Sequence, residues 1–210
     1  MKYRFITIEG NIGAGKTTLA CVLSKRLNAR LILEEFAENP FLPMFYENPK
    51  QYAFPLELFF MAERFKQLKE MLHNQDLFHN IIISDYLFTK CLLFAKMNLP
   101  EEEYKLYQKL FDIIHQQLIF PDLLIYLHAP VKKLHENITK RGRPYEQNIG
   151  SEYLLKIQDT YSSYIQQHHI KTLVVDVSNA DFLSNDDHVE LILETLEHKN
   201  IADKYFLSLP

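Results

Sequence analysis

Apolar residues along the chain fall into short continuous runs that alternate with longer stretches of helical spacing. The short runs predict strands at Lys2–Ile8, Arg30–Leu33, Ile81–Ile83, Leu123–Leu127 and Leu173–Val177. The longer stretches predict helices at Thr18–Leu27, Pro55–His73 (with the proline in the first turn), Phe88–Lys96, Glu101–Ile119, Lys132–Lys140, Ser151–Gln167 and Asp186–His198. Strands buried on both faces read as uninterrupted apolar runs, so the alternation predicts an α/β fold: a five-stranded parallel sheet with helices on both faces.

One domain is expected over residues 1–210, because no linker, repeat or low-complexity segment interrupts the alternation. The tail from Asn200 to Pro210 falls outside the regular pattern. Its Tyr205-Phe206-Leu207 segment is apolar, which favours docking either on the body of the domain or on a partner chain.

The turn between the first strand and the first helix carries the strongest chemical signal. It follows the G-x-x-x-x-G-K-[ST] pattern through Gly10, Asn11, Ile12, Gly13, Ala14, Gly15, Lys16 and Thr17, with Thr18 next. The glycines let backbone N–H groups converge on phosphate oxygens, and the helix N-terminus favours negative charge. Lys16 is expected to reach the β- and γ-phosphates, and Thr17 to ligate Mg²⁺. The sequence therefore predicts a nucleoside triphosphate site in a three-layer P-loop fold.

Charge and composition narrow the class of protein. The net charge of −4 indicates no broad basic surface for nucleic acid, so cationic groups must be concentrated locally. No apolar run approaches the roughly 18 residues of a membrane-spanning helix, and with the first strand predicted this early no signal peptide is expected. Cys21 and Cys91 lie in apolar helical contexts, which suggests a reducing compartment without disulfides. A cytoplasmic, soluble enzyme with no nucleic-acid or membrane partner is expected.

Charged residues collect after several of the predicted strands. Glu34-Glu35 follows the second strand, Asp85 follows the third, and Arg141 and Arg143 lie beyond the fourth. Ligands of open parallel sheets bind at the edge where these strand ends meet. Phosphoryl transfer to a hydroxyl needs a carboxylate that orients the acceptor, an acid that acts on Mg²⁺ and arginines that neutralise the moving group. The alternatives are a helix N-cap for Asp85 and a solvated basic turn for the arginines.

These segments together resemble the deoxynucleoside kinases of the deoxyadenosine, deoxyguanosine and deoxycytidine kinase type, over nearly the whole chain. Glu34 stands five residues before Asn39-Pro40, where the family has its catalytic base. Lys140-Arg141-Gly142-Arg143 with Glu146 is similar to the family's lid, placed here at about residues 141–150. The segment Asn179-Ala180-Asp181-Phe182 resembles the loop that holds the adenine of ATP.

The resemblance implies a role for each matching residue. Tyr46 contacts the sugar 3′-hydroxyl, Phe94 packs against the base, and Glu146 reaches the sugar. The residues expected to contact the deoxynucleoside are Glu34, Tyr46, Glu57, Arg64, Asp85, Phe94 and Glu146. Those expected to take part in catalysis are Glu34, Lys16, Arg141 and Arg143, with the two arginines, Asp181 and Phe182 also binding ATP. Mg²⁺ is expected on Thr17 and Asp85, and a dimer is implied, either a homodimer or a heterodimer.

Four positions depart from the family pattern. Tyr86 stands where an arginine after the acid helps to hold the acceptor hydroxyl and the base carboxylate. Glu35 replaces a proline, and it competes with Glu34 for the role of catalytic base. Cys91 stands about where an aspartate partners the base-reading arginine, and Glu57 replaces a base-reading glutamine.

Glu57 has two opposite interpretations. An ionised carboxylate accepts hydrogen bonds but cannot donate one, so Glu57 favours a base edge that presents donors, as guanine does. In the other interpretation Glu57 pairs with Arg64, which has lost its aspartate neighbour, or with Lys66, and reads nothing.

The expected function is transfer of the γ-phosphate of ATP to the 5′-hydroxyl of a deoxynucleoside, with a purine favoured, in nucleotide salvage. A nucleoside monophosphate kinase of the thymidylate kinase kind is the alternative, and it would need further cationic groups for the acceptor phosphate. Tyr86 also leaves open a weakly active nucleotide-binding subunit of a heterodimer. The Tyr104–Ile119 segment either packs in the core or forms a helix-pair dimer interface through Leu106, Leu110, Ile113 and Ile114.

Overall fold

The computed structural model describes residues 2–34, 39–73 and 78–210, so Glu35, the competing candidate for the base, lies outside the described residues. A 3₁₀ turn at Pro144–Glu146 lies between the sixth and seventh helices. In chain order the elements are β1 (Phe5–Gly10), α1 (Lys16–Arg26), β2 (Arg30–Ile32), α2 (Phe41–Glu47), α3 (Pro49–His73), β3 (Ile82–Ser84), α4 (Lys90–Asn98), α5 (Glu101–His115), β4 (Leu123–His128), α6 (Val131–Arg141), α7 (Ser151–Gln167), β5 (Thr172–Asp176), α8 (Asp186–His198) and β6 (Lys204–Ser208).

The strands form one parallel sheet in the order β2-β3-β1-β4-β5-β6. Strand β1 lies near the middle, and β3 and β4 flank it, with Ile6 opposite both Ile83 and Leu123. Every strand therefore presents its carboxyl end at the same edge. The α/β fold with a parallel sheet is confirmed.

The prediction of five strands was wrong by one, because the tail supplies a sixth. Strand β6 pairs in parallel with β5, and Tyr205 and Leu207 pack against the core. Phe206, between them, is 73% exposed. As an edge strand, β6 alternates exposed and partly covered residues and so lacks the continuous apolar run of a central strand. Of the two expected positions for the tail, docking on the body is the one observed.

The segment between Pro40 and Pro55 is helical where a loop-rich stretch was expected. Helix α2 covers Phe41–Glu47, and the Asn39 side chain accepts a hydrogen bond from the Phe41 N–H at 2.9 Å. Helix α3 begins at Pro49, a residue suited to a first helical position, so Pro55 lies inside the helix rather than in its first turn. The predicted helix at Glu101–Ile119 ends at His115.

Alternate residues along the central strands point to opposite helical layers. Ile6 and Ile8 pack in a core with α1, α6 and α8, whereas Phe5 packs against α3, α4 and α5. Leu124 and Tyr126 of β4 contact α7 on that second face. The molecule is therefore a helix–sheet–helix sandwich. None of the helices in the described part of the chain is long and apolar enough to cross a membrane.

The docked tail gives a test of stability. Leu209, just beyond β6, is 4% exposed, and Leu209→Ala is expected to lower the free energy of unfolding by about 2–4 kcal/mol through the cavity it leaves. The control is Phe206→Ala at the neighbouring exposed position, expected to change the same free energy by at most about 0.5 kcal/mol. Urea denaturation measures both, and equal effects would contradict docking of the tail on the body.

Candidate active site

A cavity of about 650 Å³ lies at the carboxyl edge of the sheet. It brings together most of the residues that the sequence singled out: Ile12, Gly13, Ala14, Gly15, Lys16, Thr17, Thr18, Glu34, Tyr46, Glu57, Arg64, Asp85, Phe94, Arg141, Arg143, Glu146, Asp181 and Phe182. Gly10 and Asn11 lie behind the lining, where their carbonyl oxygens accept hydrogen bonds from Lys16 Nζ at 3.0 and 2.9 Å. Residues from distant parts of the sequence thus face one space.

The phosphate loop has the backbone that its glycines permit. Gly13 has φ = 81°, and a β-carbon there would lie 2.8 Å from the Leu134 carbonyl oxygen of α6. Gly15, at the start of α1, has φ = 92°. Both dihedrals lie in the left-handed region, which glycine adopts without a steric penalty. The first N–H groups of α1 are therefore directed at the cavity, as an anion site requires.

Lys16 and its neighbours concentrate charge beside this loop. Burial lowers the pKa of Lys16 to about 8, with the nearby Lys90 ammonium adding to the effect. Thr17 Oγ1 donates a hydrogen bond to Asp85 Oδ2 at 2.5 Å, and Asp85 Oδ1 accepts one from the Glu34 N–H at 2.6 Å. Asp85 therefore does not cap the following helix, which begins only at Lys90.

Thr17 and Asp85 together fit a magnesium ion. Within the described residues, no group of three or more His, Cys, Asp or Glu side chains gathers to hold a metal. Mg²⁺ in phosphoryl-transfer sites is held by one or two protein oxygens together with phosphates and water, so a hydroxyl beside one carboxylate is a sufficient donor set. Burial raises the pKa of the Asp85 carboxyl, and the hydrogen bond from Thr17 partly opposes this rise.

Glu34 is clamped between two cations. Its Oε1 accepts hydrogen bonds from Arg64, at 2.8 Å from Nε and a second one from Nη2, and its Oε2 lies 2.8 Å from Lys90 Nζ. All three side chains are buried. Burial by itself would raise the pKa of Glu34, but Arg64 and Lys90 outweigh it and hold the pKa well below its usual range. The carboxylate is therefore ionised at any physiological pH.

Glu57 lies at another wall of the cavity, where it pairs with neither Arg64 nor Lys66. Its Oε1 accepts a hydrogen bond from Asn98 Nδ2 at 2.9 Å. Arg64 instead directs Nη1 at the Cys91 sulfur, 3.0 Å away. The expected pairing of Arg64 with Glu57 is therefore not found, because Glu34 and Cys91 already take the guanidinium.

The two segments predicted as a lid and as an adenine-holding loop both line the cavity. Helix α6 ends at Arg141, and both Arg141 and Arg143 donate to the buried carboxylate of Glu146. In the other loop Asp181 accepts the N–H groups of Leu183 and Ser184 at 3.0 Å, so its carboxylate shapes the turn. Two ring contacts involve these segments: Phe182 lies against Gly15, and Tyr46 stacks on Tyr145 with ring centroids 6.0 Å apart.

Comparison with known proteins decides the family. The family described as deoxynucleoside kinase matches residues 6–201. The chain belongs to the deoxynucleoside kinase family. A deoxyguanosine kinase of Bacillus subtilis (strain 168) is 36% identical over 90% of this chain and 93% of that protein. A deoxyadenosine kinase of Dictyostelium discoideum is 32% identical over 89% of this chain and 77% of that protein.

A solved structure agrees with this assignment. Deoxyadenosine kinase from M. mycoides, with the products dCMP and a flexible dCDP bound, is similar with a TM-score of 0.79 and 28% identity. The match covers 93% of this chain and 100% of that one. The chain is thus a phosphotransferase that acts on a hydroxyl group. These relatives do not favour a monophosphate kinase or a weakly active binding subunit.

Lys90 is the cationic partner of Glu34 that the sequence did not reveal. Tyr86, in the place of the family arginine, is 1% exposed and donates its hydroxyl to Gln67 at 2.8 Å, away from the cavity. The charge beside Glu34 comes instead from the first residue of α4. The available signal was a lysine among buried positions of α4, next to Cys91 and near Ala95. Lys133, Asn98, Asn137 and Tyr153 also line the cavity without having been predicted.

The role of Lys90 is testable by substitution. Lys90→Met is expected to lower kcat by roughly a hundredfold. The substitution removes one of the two cations that contact the buried Glu34 carboxylate and so disturbs both its position and its charge. Lys96→Met, an exposed position on the same helix, and Tyr86→Phe are the controls and should leave kcat unchanged. Steady-state kinetics with ATP decides, and a kcat for Lys90→Met equal to that of the controls would contradict the role.

Proposed function

We propose that this kinase transfers the γ-phosphate of ATP to the 5′-hydroxyl of a purine deoxynucleoside. The position of the Glu34 carboxylate carries the proposal. It faces the same cavity as the phosphate loop, and Asp85 links the Glu34 backbone to the Thr17 hydroxyl. A hydroxyl hydrogen-bonded to Glu34 therefore lies beside the phosphates that the loop would hold.

The donor half of the site is the phosphate loop with the lid. Backbone N–H groups at the start of α1 would bind the phosphates, and Lys16 would leave its contacts with the loop carbonyls to reach them. Arg141 and Arg143 face the cavity from the end of α6, where they would offset charge on the moving group. Thr17 and Asp85 would hold Mg²⁺, which would supply positive charge to offset that of the phosphates.

The acceptor half is the cleft between α3 and α4. Phe94 and Phe60 give it apolar walls, and Tyr46 and Glu146 lie where the sugar of an acceptor at Glu34 would extend. A cleft with apolar walls and a few polar groups suits a nucleoside better than a second phosphorylated molecule. The activities named for the similar enzymes of B. subtilis and D. discoideum, on deoxyguanosine and deoxyadenosine, support a purine.

The chemical step follows from the state of Glu34. Because Arg64 and Lys90 keep its pKa low, the carboxylate remains ionised and orients the 5′-hydroxyl by accepting its proton in a hydrogen bond. A weak base of this kind suits a loose transition state, in which the hydroxyl loses its proton late. Positioning and charge stabilisation then account for most of the catalysis.

A substrate panel tests the function. ADP formation is measured with the purified chain, ATP, Mg²⁺, each of the four deoxynucleosides and the matching 5′-monophosphates. We expect turnover with deoxynucleosides, purines above pyrimidines, and none with monophosphates. Turnover of a monophosphate alone would support the monophosphate kinase, and ATP binding without turnover would support the inactive subunit.

Glu34 should be the base rather than Glu35. Glu34→Gln is expected to lower kcat by roughly a thousandfold with little change in the KM for ATP, since an amide cannot accept the proton. Glu35→Gln, the same change at the neighbouring position, should have a much smaller effect on kcat. The reverse order of the two values would assign the base to Glu35.

We further propose a homodimer formed through α5. Ile114 packs against the core, as do the buried Tyr107 and Phe111, whereas Leu106, Leu110 and Ile113 are between 36% and 64% exposed. An exposed apolar stripe of this kind suits a second copy of the chain. Two unpaired cysteines, Cys21 and Cys91, support a reducing compartment, and we propose the cytoplasm.

The dimer is tested by charge insertion. The double variant Leu106→Glu with Ile113→Glu is expected to sediment as a monomer, because carboxylates in an apolar interface cannot shed their water without cost. The control is Phe206→Glu, which changes an exposed apolar residue of the edge strand β6 rather than of α5 and should leave the dimer intact. A wild-type chain that sediments as a monomer would contradict the homodimer.

A further inference from the structure

A buried carboxylate with a free oxygen faces the acceptor cleft. Glu57, on α3, is 2% exposed and lines the cavity. Asn98 at the end of α4 donates to Oε1, and none of the described residues donates a hydrogen bond to Oε2. A buried carboxylate usually takes several donors, so this oxygen has capacity for a ligand. Within the described residues the carboxylate joins no ion pair, so no cationic side chain contacts this oxygen.

Arg64 provides the complementary group on the same helix. Glu57 and Arg64 are seven residues apart, roughly 10 Å along the helix axis, which is the scale of a purine ring with its substituents. Arg64 uses Nε and Nη2 for Glu34 and Nη1 for Cys91, and each terminal nitrogen keeps one more N–H. The cleft thus offers acceptors at Glu57 and donors at Arg64.

We propose that Glu57 selects guanine over adenine as the base of the acceptor. This inference rests on the proposed function. The Glu57 carboxylate accepts the guanine N1–H and 2-amino groups, Asn98 holds it in position, and Arg64 faces the acceptor atoms of the base. Adenine presents an N1 lone pair in place of the N1–H and has no 2-amino group. Its N1 and the carboxylate oxygen are then both acceptors, and no hydrogen bond forms between them. Hydrogen-bonding pairs of this kind discriminate between bases by roughly tenfold to a hundredfold.

The selection depends on the charge of Glu57. Burial raises the pKa of Glu57 to about 7, which the hydrogen bond from Asn98 and the charges of Arg64 and Lys90 oppose. A protonated carboxyl offers one donor and one acceptor, the pattern that matches adenine N1 and its 6-amino group. Guanine is therefore favoured above the pKa of Glu57, where the group is ionised, and adenine gains below it.

Other titratable groups surround Glu57 but do not distinguish the two bases. They lie after β2 and on α3, α4, α5 and α7: Glu34, Arg64, Lys90, Cys91, Tyr107 and Tyr153. Arg64 and Glu34 keep their charge across the tested pH range, and the other groups do not contact the base in the proposed pose, so none of them changes with pH the ratio of kcat/KM for deoxyguanosine to kcat/KM for deoxyadenosine. Lys16 and the lid arginines, on the donor side, do not contact the base either. Neither base ionises near neutral pH.

The experiment measures this ratio as a function of pH. We expect it to rise at least roughly tenfold between about pH 6 and about pH 8, following the ionised fraction of Glu57. Glu57→Gln should lower the ratio and remove its pH dependence. Glu70→Gln, the same change at an exposed position of α3, should leave both as in the wild type.

Two results would overturn the proposal. One is a wild-type ratio that does not change with pH, which needs no variant to fold. The other is Glu57→Gln with the wild-type ratio and pH profile. If no deoxynucleoside is phosphorylated, the proposed function fails on its own; the ratio of dissociation constants for the two nucleosides, measured by calorimetry at the same pH values, then decides the role of Glu57.

Discussion

The ion triad of Glu34, Arg64 and Lys90 is the interaction on which the rest of the site depends. It joins the end of β2 to α3 and α4, whose side chains form the two walls of the acceptor cleft. Taking such charges out of water is costly, and removing either cation would leave the Glu34 carboxylate with less compensating charge. The same contacts that join these elements keep the Glu34 carboxylate ionised, so the shape of the cleft and the charge of Glu34 have one cause.

Local signals were enough to predict the strand, glycine-rich turn and helix that border one side of the cavity. The phosphate loop needs only a strand, a glycine-rich turn and a helix in sequence, so Gly10 to Thr18 could be assigned without tertiary information. The acceptor half is built from contacts between distant segments. The cationic partner of Glu34 came from Lys90 rather than from position 86, and nothing in the spacing of α4 indicates which strand end its first residue meets. That information exists only in the packing of α4 against α3.

The fold shows the same division between local and tertiary information. Central strands were found because burial on both faces leaves a continuous apolar run. Strand β6 was missed because an edge strand exposes residues such as Phe206 and owes its pairing to β5. Pro55 was read as a helix start, but the packing of α3 on its neighbours tolerates the missing hydrogen bond inside the helix.

Asp85 connects the phosphate loop to the segment that carries Glu34. One of its oxygens accepts the Thr17 hydroxyl on the donor side, and the other accepts the Glu34 N–H on the acceptor side. The separation between the phosphate loop and the base is therefore set by the span of a single carboxylate. Loss of the Asp85 carboxylate would therefore remove a contact from the phosphate loop and from the Glu34 backbone at once.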